Sequence, residues 1–427
     1  MTVLGILLGV FLLLLVLGVP IAVAMGMGAV MAVVLATDLP IVIVGQRMMS
    51  ILDSFPFLAL PFFIVAGLVM ERGGITQQLI DFASIFVARV TGGLAQVVIG
   101  ANLAMSGASG AATADCAATA TVMIPAMSRA GYSPAFAAAL TAAASTLGPI
   151  IPPSVMFVIY GAMTNTSIGR LFLGGIVPGL IMGAYMIVTA YIISKRRNYP
   201  KLAPVSRRQA VRITVNATPA LMMPVIVLGG IVGGVCTPTE AGAIAAVYAL
   251  LIGLFVYRRM KLSEVLPVFV SAATMTAAVM LIVSASEPFG WILARERIPD
   301  ALTAGFLALT SDPLVFLATV NVLLLLFGIF FEPVPLLILM TPVLMPLLPV
   351  YQIDPVHFGV MITLNMTLGL LTPPVGICMF IVCAIGKISI WQFTKEVWPF
   401  LLALGLALLV ITYVPATVLY LPNLLVD

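Results

Sequence analysis

The chain has 427 residues, of which 62% are hydrophobic and 8% charged, with a net charge of +4 and a mean hydropathy of +1.24. Soluble domains carry about 25% charged residues, so this composition excludes a soluble domain and indicates a polytopic membrane protein. The four cysteines are scattered through apolar sequence and there is one histidine. Those counts exclude a disulfide framework and make haem or zinc chemistry an unsuitable explanation of function.

Two apolar stretches, Thr2–Leu17 and Ile21–Ala36, are interpreted as a tilted pair of helices that turns at Pro20. Neither contains lysine or arginine. A signal peptide needs a basic region before its apolar stretch, so both are expected to be mature membrane helices. An interfacial helix is predicted over Val42–Phe55 and a membrane span over Phe57–Met70.

A re-entrant hairpin is predicted over Gly92–Ser128, after an amphipathic helix over Ile75–Val90. Small and polar residues at Ser106–Thr113 interrupt the hairpin and leave two arms too short to cross a bilayer comfortably. Non-helical backbone at that depth is tolerated only where protein buries it or where it lines a cavity. Arg89 and Arg129 flank the hairpin and place both of its ends on the cytoplasmic side.

A span over Pro134–Ile168, interrupted at Gly148–Pro153, follows the hairpin, and a further span over Leu171–Ile193 completes this half. Seven of the 19 basic residues then fall between Lys195 and Arg212. By the positive-inside rule this segment is a cytoplasmic linker. A patch for lipid headgroups or nucleic acid is the alternative, but the long apolar spans on both sides favour the loop, and no nucleic-acid partner is expected.

The second half repeats the order of the first. Tyr257 is followed by two arginines, which places that end in the cytoplasm, whereas no basic residue follows Ala36. The halves are therefore expected to have opposite orientations, with the N-terminus on the outer side of the membrane. The predicted elements are apolar helices over Ile213–Val232, Ala241–Tyr257 and Val268–Phe289, an amphipathic stretch over Trp291–Leu309, a hairpin over Pro313–Leu348, a broken span over Pro355–Ile385 and a last span over Val397–Leu419.

The pattern Thr-Leu-Gly-x-x-x-Pro-Pro occurs at Thr146–Pro153 and again at Thr367–Pro374, a shift of 221 residues. The same shift aligns Pro134 with Pro355. Two related halves, each with a glycine and proline break in a membrane span, are the sequence signature of a secondary-transporter binding site.

The predicted fold is accordingly an all-α polytopic membrane protein with two inverted-topology repeats. The first repeat covers residues 1–194, with its hairpin at about 92–128 and its broken helix at about 134–168. A cytoplasmic linker covers 195–212. The second repeat covers 213–427, with its hairpin at about 313–348 and its broken helix at about 355–385. About ten transmembrane helices and two re-entrant hairpins are expected.

The breaks have a chemical consequence. Proline removes a backbone donor and disrupts the preceding turn, which leaves carbonyl oxygens without partners. Hard cations prefer oxygen ligands, and half-helix N-termini favour an anion. Two cation sites are therefore predicted beside one central pocket. The candidate cation ligands are Ser106, Gly107, Ser109 and Gly148 in the first half, and Gly328, Glu332, Gly369 and Thr372 in the second. The candidate substrate-binding residues are Ser109, Pro152, Pro153, Ser154, Thr363, Asn365 and Pro373.

Each of these features has a structural alternative. Runs of small residues often serve close helix packing, and proline kinks are common in membrane helices. Their recurrence in register favours function. Asp115 and Glu332 are ionisable groups at membrane depth, which usually serve a pathway, although Glu332 could instead cap a hairpin turn. His357, beside Asp354, is expected to be structural or interfacial rather than part of a proton relay.

Six motifs resemble those of the large membrane subunit of TRAP (tripartite ATP-independent periplasmic) transporters, and the match covers nearly the whole chain. They are Met105-Ser106-Gly107-Ala108-Ser109, Ile124-Pro125-x-Met127-x-x-x-Gly131-Tyr132, Ile150-Ile151-Pro152-Pro153-Ser154, Pro238-Thr239-Glu240-Ala241, Asp354-Pro355-x-His357-Phe358-Gly359 and Thr372-Pro373-Pro374-Val375-Gly376. Ala108 departs from the family pattern, which often has a second serine there, so this chain lacks one hydroxyl of that pattern.

The resemblance implies a transporter rather than an enzyme, with sodium-driven uptake of a small organic acid such as a C4-dicarboxylate or sialic acid. It also implies about two sodium sites, an elevator motion, a small four-helix membrane subunit, and a periplasmic binding protein that delivers substrate across the bacterial or archaeal inner membrane. In that motion the moving unit would comprise Gly92–Ile168 and Pro313–Ile385. The paired spans at the start of each half, with Leu171–Ile193 and Val397–Leu419, would form the fixed frame.

Two alternative functions are compatible with a polytopic membrane protein. A proton-conducting subunit of a respiratory complex would need lysine or glutamate in several spans, and this chain has few intramembrane charges. A stand-alone ion-coupled carboxylate transporter of similar architecture would need no binding protein. The motifs favour the tripartite system over this alternative.

Overall fold

The computed structural model describes residues 2–87, 90–202 and 205–426, without the side chains of Thr2 and Ala108. The expected cytoplasmic marker at Arg89 and the hydroxyl question at Ala108 fall outside this description. Within it the chain is helical and contains no strand. The helices of the first half are α1 Thr2–Val16, α2 Ile21–Ala36, α3 Val42–Leu52, α4 Ala59–Arg72, α5 Ile75–Val87, α6 Gly93–Ser109, α7 Ala112–Arg129, α8 Pro134–Ser145, α9 Val155–Thr164 and α10 Ile168–Arg196.

The second half has ten more helices. A single π-helical turn, Ile252–Val256, extends the helix that begins at Pro238. The helices are α11 Arg207–Val232, α12 Pro238–Leu251, α13 Leu262–Arg295, α14 Ile298–Leu309, α15 Pro313–Gly328, α16 Pro333–Leu344, α17 Pro355–Gly369, α18 Ile377–Gly386, α19 Ile390–Tyr413 and α20 Ala416–Leu425. The prediction of an all-α architecture is confirmed.

Pairs of helices lie at the positions predicted for the two hairpins and the two broken spans, while their re-entrant or membrane-crossing character stays a prediction. Helices α6 and α7 make the first hairpin, and α8 and α9 are the two parts of the first broken span. Helices α15 and α16 make the second hairpin, and α17 and α18 the second broken span. The first residues of α7 and α16 are related by the same 221-residue shift as the sequence motif, and so are those of α8 and α17.

Several helix boundaries differ from the prediction. Helix α13 continues to Arg295, past the predicted end at Phe289, because Pro288 lies inside the helix without ending it. The chain leaves α13 only where Arg297 adopts a left-handed conformation. The predicted last span is two helices, since α19 ends before Pro415 and α20 follows it. Helix α10 begins at Ile168, where Ser167 caps its first turn.

The basic linker is shorter than predicted because helix covers both of its ends. Helix α10 continues to Arg196, and α11 begins after Ser206, whose side chain accepts a hydrogen bond from the Gln209 backbone amide. Between them Arg197 pairs with Glu396 at 2.9 Å. Both partners are partly exposed, so the pair contributes at most about 1 kcal/mol.

The helices pack as two groups. Helices α2 and α3 pack on α13, α1 packs mainly on α2, and α11 packs on α12, while α4 contacts both α12 and α13; the hairpins pack with the broken spans, and α13 also contacts α16. The sequence assigned α10 and α19 to the fixed frame, and that assignment stays a prediction. Helix α10 lies against α6, α17, α19 and α20, and α19 lies against α8, α10 and α17.

Glycines at four-residue spacing explain the position of α10. A Cβ atom at Gly175 would overlap the carbonyl oxygen of Ile150, and one at Gly179 would overlap Ile151. Small residues at this spacing let helices approach closely at membrane depth. Helix α10 is therefore seated directly on the first break.

The two halves interlock reciprocally. Helix α2 packs on α13, and α12, which occupies the corresponding place in the second half, packs on α4. Likewise α7 packs on α18, and α16 packs on α9. The second arm of each hairpin thus lies against the broken span of the other half.

Six helical segments in the described ranges are long and apolar enough to cross a membrane alone. Helices α14 and α15 would make a seventh if taken as one span, although they are bent by 115°. The six segments are Phe55–Arg72, Ile168–Arg196, Arg207–Val232, Pro238–Val256, Leu262–Arg295 and Ile390–Tyr413. The prediction of about ten crossings stays a prediction.

Candidate functional site

The tip of the first hairpin lies on the first break. Gly110 ends α6 with φ +64°, a conformation that glycine adopts without strain, and α7 begins at Ala112. A Cβ atom at Gly110 would overlap the carbonyl oxygen of Pro153. The sequence therefore brings the predicted hairpin–break pair together in the first half.

The first break is closed by its own side chains. Ser154 caps α9 by accepting a hydrogen bond from the Phe157 amide at 3.3 Å, and it donates to the Pro149 carbonyl at 2.5 Å. Pro152 and Pro153 are buried, and their peptide bond is cis. The predicted substrate ligand Ser154 thus has a structural role in this conformation.

The predicted ligands of the first cation site divide into two sets. Ser109 and Gly148 meet at Asp115: the Ser109 hydroxyl donates to Asp115 Oδ1 at 2.5 Å, and a Cβ atom at Gly148 would lie 2.8 Å from Asp115 Oδ2. Ser106 instead donates to the Asn102 carbonyl within α6 at 2.6 Å. Gly107 faces away from that carboxylate, against Pro224 of α11.

The predicted set of ligands for the first cation site did not include Asp115, which lies beside both Ser109 and Gly148. Its side chain is 1% exposed, and one carboxylate oxygen, Oδ2, finds no hydrogen-bond partner in the described part of the chain. The sequence marked Asp115 only as an ionisable group at membrane depth. Its position four residues after the hairpin turn was the available signal.

The second hairpin and break also meet. A Cβ atom at Gly369 would overlap the carbonyl oxygen of Gly328, so the two backbones are in contact. The Thr372 hydroxyl donates to the Gly369 carbonyl at 3.1 Å. Three of the four predicted ligands are therefore adjacent. The fourth, Glu332, is the exposed N-cap residue of α16.

Three predicted substrate ligands are placed differently. Thr363 is buried and donates to the Gly359 carbonyl at 2.8 Å. Asn365 is buried and donates to Asn321 Oδ1 at 2.7 Å, between α17 and α15. Pro373, at the second break, is partly exposed. Thr363 and Asn365 thus lie inside the packing of α17.

A central cavity lies between the two tips. One part has a volume of about 280 Å³ and the adjoining part about 80 Å³. Both parts are lined by Thr113 near the start of α7, Val155 at the start of α9 and Glu332 at the start of α16. Ser109 also lines the larger part.

The opposite wall of the larger part is formed by α4 and α13 and was not anticipated from the sequence. Helix α4 contributes Ile64, Gly67 and Leu68, and α13 contributes Met275 and Val279 among others. These are ordinary apolar residues of membrane helices. No local pattern distinguishes them from residues that face lipid.

The family model described as the DctM component of tripartite ATP-independent periplasmic transporters matches residues 8–417. The chain belongs to this DctM family. The expectation drawn from its motifs is confirmed, including that it is a transporter subunit rather than an enzyme.

Named relatives of this DctM chain are similar over most of its length. The sialic acid TRAP transporter large permease protein SiaM of Vibrio cholerae is 40% identical over 407 residues, which covers 95% of each chain. The isethionate TRAP transporter permease protein DctMQ of Oleidesulfovibrio alaskensis is 41% identical over 97% of this chain, which spans only 65% of that protein. The C4-dicarboxylate large permease protein DctM of Pseudomonas aeruginosa is 38% identical over 87% of each chain.

A solved structure shares the fold. The YdaH transporter of Alcanivorax borkumensis superposes with a TM-score of 0.64 and covers 86% of each chain, at 14% sequence identity. At that identity the likeness concerns the fold alone.

Proposed function

We propose that this DctM chain is the large permease subunit of a TRAP transporter that takes up a small organic acid with sodium ions. Its relatives are named for isethionate, sialic acid and C4-dicarboxylates, all of which are organic acids. A carboxylate-bearing metabolite is the proposed substrate.

The observation that carries the substrate class is the convergence of three helix N-termini on the central cavity. Helices α7, α9 and α16 all begin at its wall, and the N-terminal end of a helix carries about half a positive charge. No lysine or arginine is among the lining residues. The backbone amides in the first turns of α7 and α9, and that of Val334 between the two prolines that begin α16, can therefore hold the acid group of the substrate.

Glu332 supports the coupling to a cation. Its side chain lines the same cavity, where its negative charge would repel an organic acid. A bound cation between the two would offset that repulsion. The adjacent group of Gly328, Gly369 and Thr372 offers carbonyl and hydroxyl oxygens, which suit sodium as a hard cation.

The first hairpin–break pair is the proposed second sodium site. Ser109 and Gly148 lie around one carboxylate there, and the first break supplies backbone oxygens. Sodium would be held by oxygen atoms alone in both places. Such ligands bind the ion reversibly, as transport requires.

The proposed movement is of an elevator type. The moving unit comprises both hairpins and broken spans together with α10 and α19, and the frame comprises α1–α4 and α11–α13. The reciprocal packing of the two halves supports inverted repeats on either side of the 195–212 linker. The N-terminus is proposed to face the periplasm and the linker the cytoplasm, across the inner membrane.

Two further proteins complete the proposed system, a periplasmic binding protein and a small four-helix membrane subunit. Helix α13 offers a surface for the small subunit, since only 11% of the residues in its most apolar 18-residue segment are buried within this chain. The isethionate relative is longer than this chain, so that relative contains a further segment outside the region of similarity. The rest of the apolar surface would contact the lipid bilayer.

The test is uptake by the complex reconstituted in vesicles. The chain, its small membrane subunit and the binding protein would be assayed with a panel of radiolabelled organic acids, with sodium gradients present, absent or replaced by potassium. Uptake of one acid that needs both sodium and the binding protein is expected. Uptake by the chain without a binding protein would support the stand-alone alternative, and uptake unchanged in potassium would contradict sodium coupling.

A further inference from the structure

A polar groove lies between α5 and the start of α11, on a part of the molecule distinct from the central cavity. Its volume is about 390 Å³, which is within the range of small-molecule sites in proteins. Helix α5 contributes one residue to its wall, and the chain at the start of α11 contributes the rest. The lining residues are Asp81, Val205, Gln209, Arg212, Ile213 and Asn216.

Three arginines lie at the start of α11, namely Arg207, Arg208 and Arg212, and all three are exposed. The first turn of α11, which the structure describes in full, contains no acidic residue. The three ion pairs found in the described ranges involve other arginines. Cations at the N-terminal end of a helix oppose its dipole, so an anion bound there would offset an unfavourable concentration of positive charge.

The cap of α11 leaves the arginines as the main donors for such an anion. Ser206 accepts a hydrogen bond from the Gln209 amide at 3.3 Å, and the Gln209 side chain accepts one from the Ser206 amide at 3.1 Å. Asp81 is the acidic residue of the wall, and its carboxylate already accepts a hydrogen bond from Gln77 on its own helix. One carboxylate opposite three arginines leaves the groove positively charged.

The exposed side of α11 changes from charged to apolar along its length. Arg208, Arg212 and Val215 are spaced four and three residues apart, so they lie on one side of the helix. Val211, Val215 and Met222 are exposed large apolar residues. Helix α11 is long and apolar enough to cross a membrane, and only 22% of its most apolar 18-residue segment is buried. Charge at the end and apolar surface beyond it match the headgroup and acyl chains of a phospholipid.

We propose that this groove binds the headgroup of one anionic phospholipid, whose phosphate contacts Arg208 and Arg212 and whose acyl chains lie along the exposed side of α11. Guanidinium groups suit phosphate because they present two parallel N–H donors. The apolar side of the helix favours a lipid over inorganic phosphate. A cytoplasmic linker is compatible with this site, since basic residues that border a membrane span meet the anionic lipids of that leaflet.

The test counts the phospholipids retained by the purified permease complex in native mass spectrometry, after titration with phosphatidylglycerol or phosphatidylcholine in mixed micelles. One phosphatidylglycerol per chain should be retained in preference to phosphatidylcholine. The double variant Arg208→Gln/Arg212→Gln should bind it about 30-fold more weakly, because each arginine adds to the attraction for an anionic lipid. The matched control is Lys195→Gln/Arg196→Gln, which removes two exposed charges from the same linker outside the groove and should bind like the wild type.

Thermal unfolding separates a loss of lipid from a loss of folding. Phosphatidylglycerol should raise the Tm of the wild type and of the control, and it should raise that of Arg208→Gln/Arg212→Gln much less. In lipid-free detergent this double variant should unfold at the same temperature as the wild type or a higher one, because it removes two cations from the positive end of α11.

Several results would overturn the site. Equal weakening in the two double variants, or equal retention of the two lipids, would show only a general attraction to the membrane surface. Displacement of the lipid by an equal concentration of inorganic phosphate would show that the groove binds a free anion. Lipid retained by the isolated chain but absent from the complex would show that the small subunit occupies the groove. These outcomes are independent of the transported acid and the coupling ion, so they leave the proposed function untouched.

Discussion

Replacing Gly110 with alanine should separate the first hairpin tip from the first break. Gly110 has φ +64°, and its missing Cβ would overlap the carbonyl oxygen of Pro153. Gly234, after α11, is a matched control. It has φ +65°, and no atom in the described structure lies within 4 Å of where its Cβ would be.

The magnitudes follow from these two differences. A left-handed conformation costs an alanine about 1–2 kcal/mol, and this applies equally to Gly110→Ala and Gly234→Ala. The overlap at Gly110 adds about 1–3 kcal/mol, because a backbone oxygen cannot rotate away as a flexible side chain could. Gly110→Ala should therefore lose about 2–5 kcal/mol of unfolding free energy, against about 1–2 kcal/mol for the control.

Reversible unfolding in mixed detergent micelles would measure the free energies, and uptake in vesicles would measure function. Gly110→Ala should lower substrate uptake well below that of Gly234→Ala, since a displaced tip alters the wall of the central cavity. Equal losses of stability and equal uptake in the two variants would show that the tip does not rest on Pro153.

Three further predictions concern packing, capping and topology. Gly175→Ala should destabilise the chain by about 1–3 kcal/mol in the same unfolding assay because its Cβ meets backbone, whereas Gly405→Ala on α19, in open space, should be neutral or slightly stabilising. Ser154→Ala should lose about 0.5–2 kcal/mol as the cap of α9 is removed, and a changed substrate preference without lost stability would contradict the capping role. Cysteine at the exposed Asn198, in a Cys236→Ser background, should react with a membrane-impermeant thiol reagent only after the membrane is opened, so labelling of intact cells would refute the cytoplasmic linker.

The hairpins and breaks could be predicted from sequence because their signal is local. Glycine, proline and hydroxyl residues are conspicuous inside apolar segments, and each interrupts the helix at the residue where it occurs. Gly110 lies at the first hairpin tip and Gly148 at the first break. The 221-residue repeat is enough to locate the second tip and the second break. The contact between tip and break followed from the need to bury their exposed backbone.

The neighbours of α10 and the partners of buried polar residues depend on packing between distant segments, so they were harder to predict. The spacing of Gly175, Gly179 and Gly183 was a readable signal for close helix packing that would have placed α10 beside the first break. Thr363 and Asn365 had no such signal. Both lie near a break in the sequence, yet α17 turns them into its packing with α15 rather than towards the cavity.

The two hairpin tips have similar backbone arrangements and differ in the position of their acidic side chain. The first has Asp115 buried behind the turn, and the second has Glu332 exposed at the cavity wall. Under the 221-residue shift their counterparts are Leu336 and Ala111, so neither acid is duplicated. A charge behind the tip can hold a cation away from the substrate, whereas a charge on the wall acts on whatever occupies the cavity. The repeat thus supplies the shared architecture, and these two carboxylates give its halves different electrostatic roles.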